Sequence, residues 1–179
     1  MLTTEHTVLV VIDIQGNLAE AMHEKESLFR NLEILISGTQ LLDIPSIITE
    51  QIPEKLGPTI PRIASLFSDF QPIAKAAFSC WGEPLFRRSL LDSGRRQVLI
   101  TGIESHVCVY QTTIDLLSEG YEVFVISDCI ASRTPENRDV GIARMREAGG
   151  RLSSVEMAIF ELLKVAGSET FRQVAKLFK

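Results

Sequence analysis

Gln97-Val-Leu-Ile-Thr-Gly-Ile-Glu-Ser-His-Val-Cys108 is the stretch that decides the fold. Its apolar run, Gln97 to Thr101, reads as a strand that ends at Gly102 and delivers Cys108 to the start of a helix running from His106 to Ser118. Val8-Leu-Val-Val-Ile12 is apolar without alternation, as expected of a strand covered on both faces, and it ends in Asp13-Ile-Gln-Gly-Asn17. Both segments therefore end in chemistry-bearing residues.

Outward from these two units, strand and helix signals alternate. Ser27 to Leu42 repeats apolar residues at helical spacing, and Ile44-Pro-Ser-Ile-Ile-Thr49 is a second strand. Gln51 to Pro58 carries two prolines and a glycine and reads as a loop, with a short helix from Pro61 to Phe67. A third strand ends near Lys75, and Glu83 to Ser93 is a helix with Pro84 in its first turn and Gly94 behind it. Tyr121 to Ile126 and Arg151 to Val155 complete six strands, separated by a helix from Glu136 to Ala148. Met157 to Val165 and Phe171 to Phe178 close the chain as apolar-faced helices. Strands joined through helices imply right-handed crossovers, hence an α/β, three-layer Rossmann-like fold: a six-stranded, mostly parallel sheet with helices on both faces, in one domain over residues 1–179.

Composition excludes several classes of function. A chain of 179 residues that is 45% hydrophobic fills the core of one such domain. Its net charge of −5 and the lack of any basic run offer no field for nucleic acid. Apolar runs are strand-length and Met1 to His6 lacks the pattern of a leader, so the expectation is a soluble, cytoplasmic protein without membrane contact. Cys80, Cys108 and Cys129 cannot all pair with one another, and no Cys/His cluster suggests zinc; reduced thiols are expected.

The carboxyl edge of an open parallel sheet is where ligands bind, and Asp13, Lys75 and Cys108 all fall at strand ends on that edge. A thiol in the first turn of a helix faces unpaired N–H groups and the positive end of the macrodipole, both of which favour thiolate. Cys108 is accordingly expected to ionise below the free value of about 8.5 and to alkylate faster than Cys80 or Cys129, which read as small core residues.

Asp13 in Val-Ile-Asp-Ile-Gln15, Lys75 behind the third strand, and Gly102-Ile-Glu-Ser-His-Val-Cys108 together resemble the catalytic signature of the isochorismatase-like cysteine hydrolases. The resemblance runs over nearly the whole chain, and Thr49-Glu-Gln51 with Leu56-Gly-Pro58 resembles a compact subgroup of unassigned substrate. It implies that Cys108 attacks an amide-like carbonyl, that Asp13 takes and returns the proton, and that Lys75 holds carboxylate and thiolate together. It also implies a cis peptide between Ile103 and Glu104, with the N–H groups of Glu104 and Cys108 forming an oxyanion hole. Nicotinamidases in this family hold a metal with an Asp-x-His pair and a further His. Here His6, His23 and His106 do not match that spacing, so no catalytic metal or other cofactor is expected. Isochorismatases proper cleave a vinyl ether without a nucleophilic cysteine, so Cys108 points instead to a small amide, ureido or related C–N carbonyl substrate.

Gln15, Phe78, Trp81 and His106 are candidates for the substrate pocket. Each has a second reading: Gln15, like Asn17, as an Asp13 orienter or helix cap; Phe78 and Trp81 as core; His106 as a maker of local contacts. Apolar residues of the last two helices, Phe171 and Phe178 among them, exceed what one small sheet face covers and suggest a homo-oligomer. Two other uses of the same constellation stand beside hydrolysis: a silent binding or scaffold protein, and a redox-sensing thiol.

Overall fold

The computed structural model describes residues 1–179. Six strands, β1 (Thr7–Ile12), β2 (Ser46–Gln51), β3 (Ile73–Lys75), β4 (Gln97–Ile103), β5 (Glu122–Ala131) and β6 (Arg151–Ser153), form one sheet in the order β3-β2-β1-β4-β5-β6. All five pairings are parallel, so the expected mostly parallel sheet is wholly so. Every residue of β1 and β4 is buried, as their unbroken apolar character requires of strands covered on both faces. This order reverses direction between β1 and β4, the topological switch point where doubly wound sheets open a crevice.

Strand alternation sorts the core into two layers. Leu9, Val11 and Leu99 pack under α1 (Gly16–Glu20), α2 (Lys25–Leu41), α8 (Val155–Leu163) and α9 (Glu169–Leu177). Val8, Val10, Ile12, Val98 and Ile100 face α5 (Pro84–Asp92), α6 (Tyr110–Ser118) and α7 (Pro135–Glu147) on the other side. Two single-turn helices, α3 (Pro53–Leu56) and α4 (Pro61–Ala64), occupy the connection from β2 to β3.

Several boundaries differ from the sequence reading. β2 runs on to Gln51, which places Gln51 in the sheet rather than in a loop. β4 continues past Gly102 to Ile103, and β5 extends to Ala131, five residues beyond its apolar run, because Ser127 and Asp128 sit at a break in the β4–β5 register and pairing resumes at Ile130. The helix expected from His106 begins as one π-helical turn, Ser105–Val109, before α6 proper. At the carboxyl end, α9 folds back on its own chain. Val174 is fully buried, and Phe160 lies 6.2 Å from Phe171 and 5.5 Å from Phe178, ring to ring. The aromatic residues expected at an interface thus have partners within the chain, while Met157 and Val165 stay exposed.

Candidate active site

Backbone geometry at the end of β1 aims Asp13. Ile12 is in register with Thr49 on one side and Gly102 on the other, so Asp13 emerges between β2 and β4. Its φ of 55° is left-handed, a conformation that a short polar side chain tolerates better than a bulky one. Gly102 is required at its place. With φ 118°, a Cβ there would sit 2.1 Å from the Ile12 carbonyl oxygen, inside any permitted contact. Beyond it the Ile103–Glu104 peptide bond is cis, at the position that the resemblance implied. Gly141 of α7 presses nearly as closely on the turn that carries Cys108, for its Cβ would lie 2.4 Å from Ser105 Oγ.

Asp13, Lys75 and Cys108 are brought together and buried, with 1%, 3% and 7% of their surfaces exposed. Lys75 Nζ stands 2.7 Å from Asp13 Oδ2. The same ammonium donates to Gln51 Oε1 at 2.6 Å and to the carbonyls of Phe78 and Ala77 at 3.1 and 3.2 Å. Asp13 Oδ1 accepts the Thr49 hydroxyl at 2.7 Å, whereas Oδ2 is buried and faces the Lys75 ammonium with no other donor paired to it. Cys108 lies near enough for the Asp13 charge to act on its thiol, and its Sγ is 4.0 Å from Gln51 Oε1.

The charge pattern reverses one expectation. Burial pushes the Cys108 thiol up to about 12, the Asp13 carboxylate adds to the rise, and Lys75 only partly offsets it. A helix terminus contributes about 1 kcal/mol, under one pKa unit, while desolvation of a buried group moves it by several. Cys108 therefore rests as a thiol. Burial opposes the charge on Lys75, yet the Asp13 carboxylate outweighs it and raises the ammonium above the usual lysine range. Burial likewise lifts Cys80 to about 11 and Cys129 well above the free thiol.

The candidate pocket residues divide. Gln15 is fully buried and does not face a pocket: its Oε1 accepts the Gln51 N–H at 2.6 Å and its Nε2 donates to the Gly57 carbonyl at 2.7 Å. It stands at the N-cap of α1, where its carbonyl accepts the Ala19 N–H but its side chain makes no capping bond, and that side chain straps the end of β2 to the following loop. Trp81 packs edge-on against Tyr121, which precedes β5 at the opposite edge of the sheet, so it does not wall the site. Phe78 is 55% exposed beside the lysine that its carbonyl holds. His106 pairs through Nδ1 with Ser132 Oγ at 3.0 Å. The Glu104 N–H meets no backbone or side-chain acceptor, and its carboxylate is held by Arg133 Nε at 3.0 Å. No group of three or more His, Cys, Asp or Glu side chains is arranged to hold a metal ion.

Two residues of this site were given no role in the sequence reading, Thr49 and Gln51. Their signal was strand alternation: two apart at the carboxyl end of β2, they share a face, and that face looks at Asp13 and Lys75.

Residues 7–157 match the isochorismatase domain model. The chain belongs to the isochorismatase family. It is 35% identical over 178 residues, 97% of this chain and 84% of the other, to a secreted isochorismatase effector of Phytophthora sojae. Among solved structures it resembles the MAR1 ribonuclease of Caenorhabditis elegans, with 33% identity and a TM-score of 0.91 over 98% of this chain and 91% of that one. It also resembles YcaC of Pseudomonas aeruginosa, solved with hexane-2,5-diol and covalent acrylamide, with 25% identity and a TM-score of 0.92 over 98% and 90%. The α/β architecture is that of the isochorismatase-like hydrolases, and no helix is long and apolar enough to cross a membrane.

Proposed function

We propose that this family member is a cysteine hydrolase that opens a small amide or related C–N carbonyl substrate through a thioester. The observation that carries the reading is the buried Oδ2 of Asp13, paired with the Lys75 ammonium and with no other donor, near the Cys108 thiol. Cys108 Sγ attacks the carbonyl carbon as its proton passes to Asp13, and the oxyanion is received by the N–H groups of Glu104 and Cys108. Collapse breaks the C–N bond; Asp13 returns the proton to the leaving nitrogen, and a thioester remains. Asp13 then takes a proton from the attacking water, and the acid departs as the proton goes back to the Cys108 sulfur. Lys75 keeps its charge throughout and lowers the cost of a buried anion that moves from carboxylate to thiolate.

The covalent acrylamide described for the P. aeruginosa protein supports a nucleophile on this fold, since acrylamide bonds through its alkene and keeps its amide. A polyanionic RNA, suggested by the description of the C. elegans protein, is poorly matched to a chain of net charge −5. The reading treats residues 1–179 as one domain that needs no metal. It includes self-association, supported by exposed Leu152, Met157 and Val165, and a cytoplasmic setting, supported by three unpaired thiols; light scattering and localisation of the expressed protein test these.

Ammonia release from a panel of small amides, with mass spectrometry of the trapped acyl-enzyme, tests the chemistry. Turnover that disappears in Cys108→Ala while the fold persists is the expected result. Equal release by Cys108→Ala, or no release from any amide beside rapid alkylation of the thiol, overturns it.

A further inference from the structure

We propose that Thr49 is a positioning residue that makes Oδ2, rather than Oδ1, the atom of Asp13 that receives the Cys108 proton; this inference rests on the hydrolase reading above. Thr49 is fully buried at the carboxyl end of β2 and owns a single hydroxyl proton. That proton is committed to Asp13 Oδ1 at 2.7 Å, which takes one lone pair of Oδ1, makes it the less basic of the two carboxylate oxygens, and holds the carboxylate plane. Oδ2 is left with the Lys75 ammonium at 2.7 Å and no other donor, poised to accept.

The direction of the contact is set from behind. Cys80 Sγ lies 3.7 Å from Thr49 Oγ1. With the threonine proton already spent on Asp13, only the Cys80 S–H can donate in that contact, and burial holds Cys80 in its protonated form at neutral pH. A one-way chain follows, from the Cys80 thiol through the Thr49 hydroxyl to Oδ1 of Asp13. Its far end is tied to the nucleophile's own turn: the Cys80 N–H donates to Thr112 Oγ1 at 2.9 Å, and that hydroxyl donates to the Cys108 carbonyl at 2.7 Å. Base and nucleophile are thus registered against each other through Thr49, Cys80 and Thr112.

The test reads the rate of Cys108 alkylation by iodoacetamide at pH 7 in the full chain, resolved by peptide mass spectrometry, so that no substrate is needed. Thr49→Val keeps the branched shape and removes the hydroxyl; Cys108 labelling is expected to slow about tenfold, the scale of a lost hydrogen bond to a charged group. Thr49→Ala should give the same loss, and Thr49→Ser, which restores the hydroxyl, should recover most of it. A merely structural defect moves the readout the other way, because opening the fold speeds labelling at Cys108 and exposes the fully buried Cys80 and Cys129. Asp13→Asn separates the two claims. If it leaves Cys108 labelling unchanged, the base assignment underneath falls. If it slows labelling while Thr49→Val and Thr49→Ala react at the wild-type rate, or Thr49→Ser reacts as slowly as Thr49→Val, the Thr49 inference alone is overturned.

Discussion

Lys75→Met should cost far more stability than a lysine substitution ordinarily does. The side chains of Lys75 and Asp13 are 0% and 1% exposed and stand 2.7 Å apart, so neither charge is screened by water. Methionine matches the length of the lysine stem but leaves the Asp13 carboxylate buried without its counter-charge, a defect worth about 3–5 kcal/mol. Most of that loss is the penalty of the orphaned carboxylate rather than the net worth of the pair, so a second change should recover part of it. Asp13→Asn in the Lys75→Met background removes the stranded charge and keeps an oxygen to accept the Thr49 hydroxyl. The double variant should therefore be more stable than Lys75→Met alone. For a chain of 179 residues, 4 kcal/mol corresponds to a fall in Tm of about 10 °C. Urea unfolding followed by circular dichroism, on wild type, both single variants and the double, closes the cycle. A Lys75→Met variant within 1 kcal/mol of wild type, or a double variant whose loss equals the sum of the singles, would refute this account of the ion pair.

Because Cys108 rests as a thiol pushed up to about 12, its alkylation rate should be flat near neutrality and climb above pH 9 without levelling; a titration step with a midpoint below about 8.5 would show a preformed thiolate instead. Cys80, Cys108 and Cys129 hold their protons more tightly folded than unfolded, so stability is full below the free thiol value of about 8.5. Above it the unfolded chain loses protons first, and the unfolding free energy should fall steeply, by about 4 kcal/mol per pH unit for three thiols, lowering the urea midpoint, up toward the folded value of Cys80 near 11. Unchanged midpoints from pH 8 to 10.5 would contradict this. Gly102→Ala forces a Cβ against the Ile12 carbonyl at a φ of 118° and should destabilise by at least about 3 kcal/mol in the same assay. A loss under 1 kcal/mol would show that β1 and β4 part readily.

How much of this was legible beforehand depends on the range of the forces involved. Runs such as Val8 to Ile12 and Gln97 to Thr101 carry their own reading, because a strand covered on both faces has no polar side to display. Their alternation with helical stretches determined the parallel doubly wound sheet, and with it the edge on which Asp13, Lys75 and Cys108 stand. Boundaries were less legible where polar residues are paired by neighbours distant in sequence: β5 continues to Ala131 through contacts with β4 that no local pattern announces. Gln15 and Trp81 misled for a related reason. Their types suit a pocket, but Gln15 spends both ends of its amide on the backbone around Gln51 and Gly57, and Trp81 finds Tyr121. The protonation of Cys108 was the least accessible. From the sequence it is a cysteine at a helix start, where a dipole worth less than one pKa unit favours thiolate. Only the tertiary structure supplies the burial and the adjoining Asp13 carboxylate that together exceed it, because desolvation is a property of everything packed around an atom and is written in no single stretch of chain.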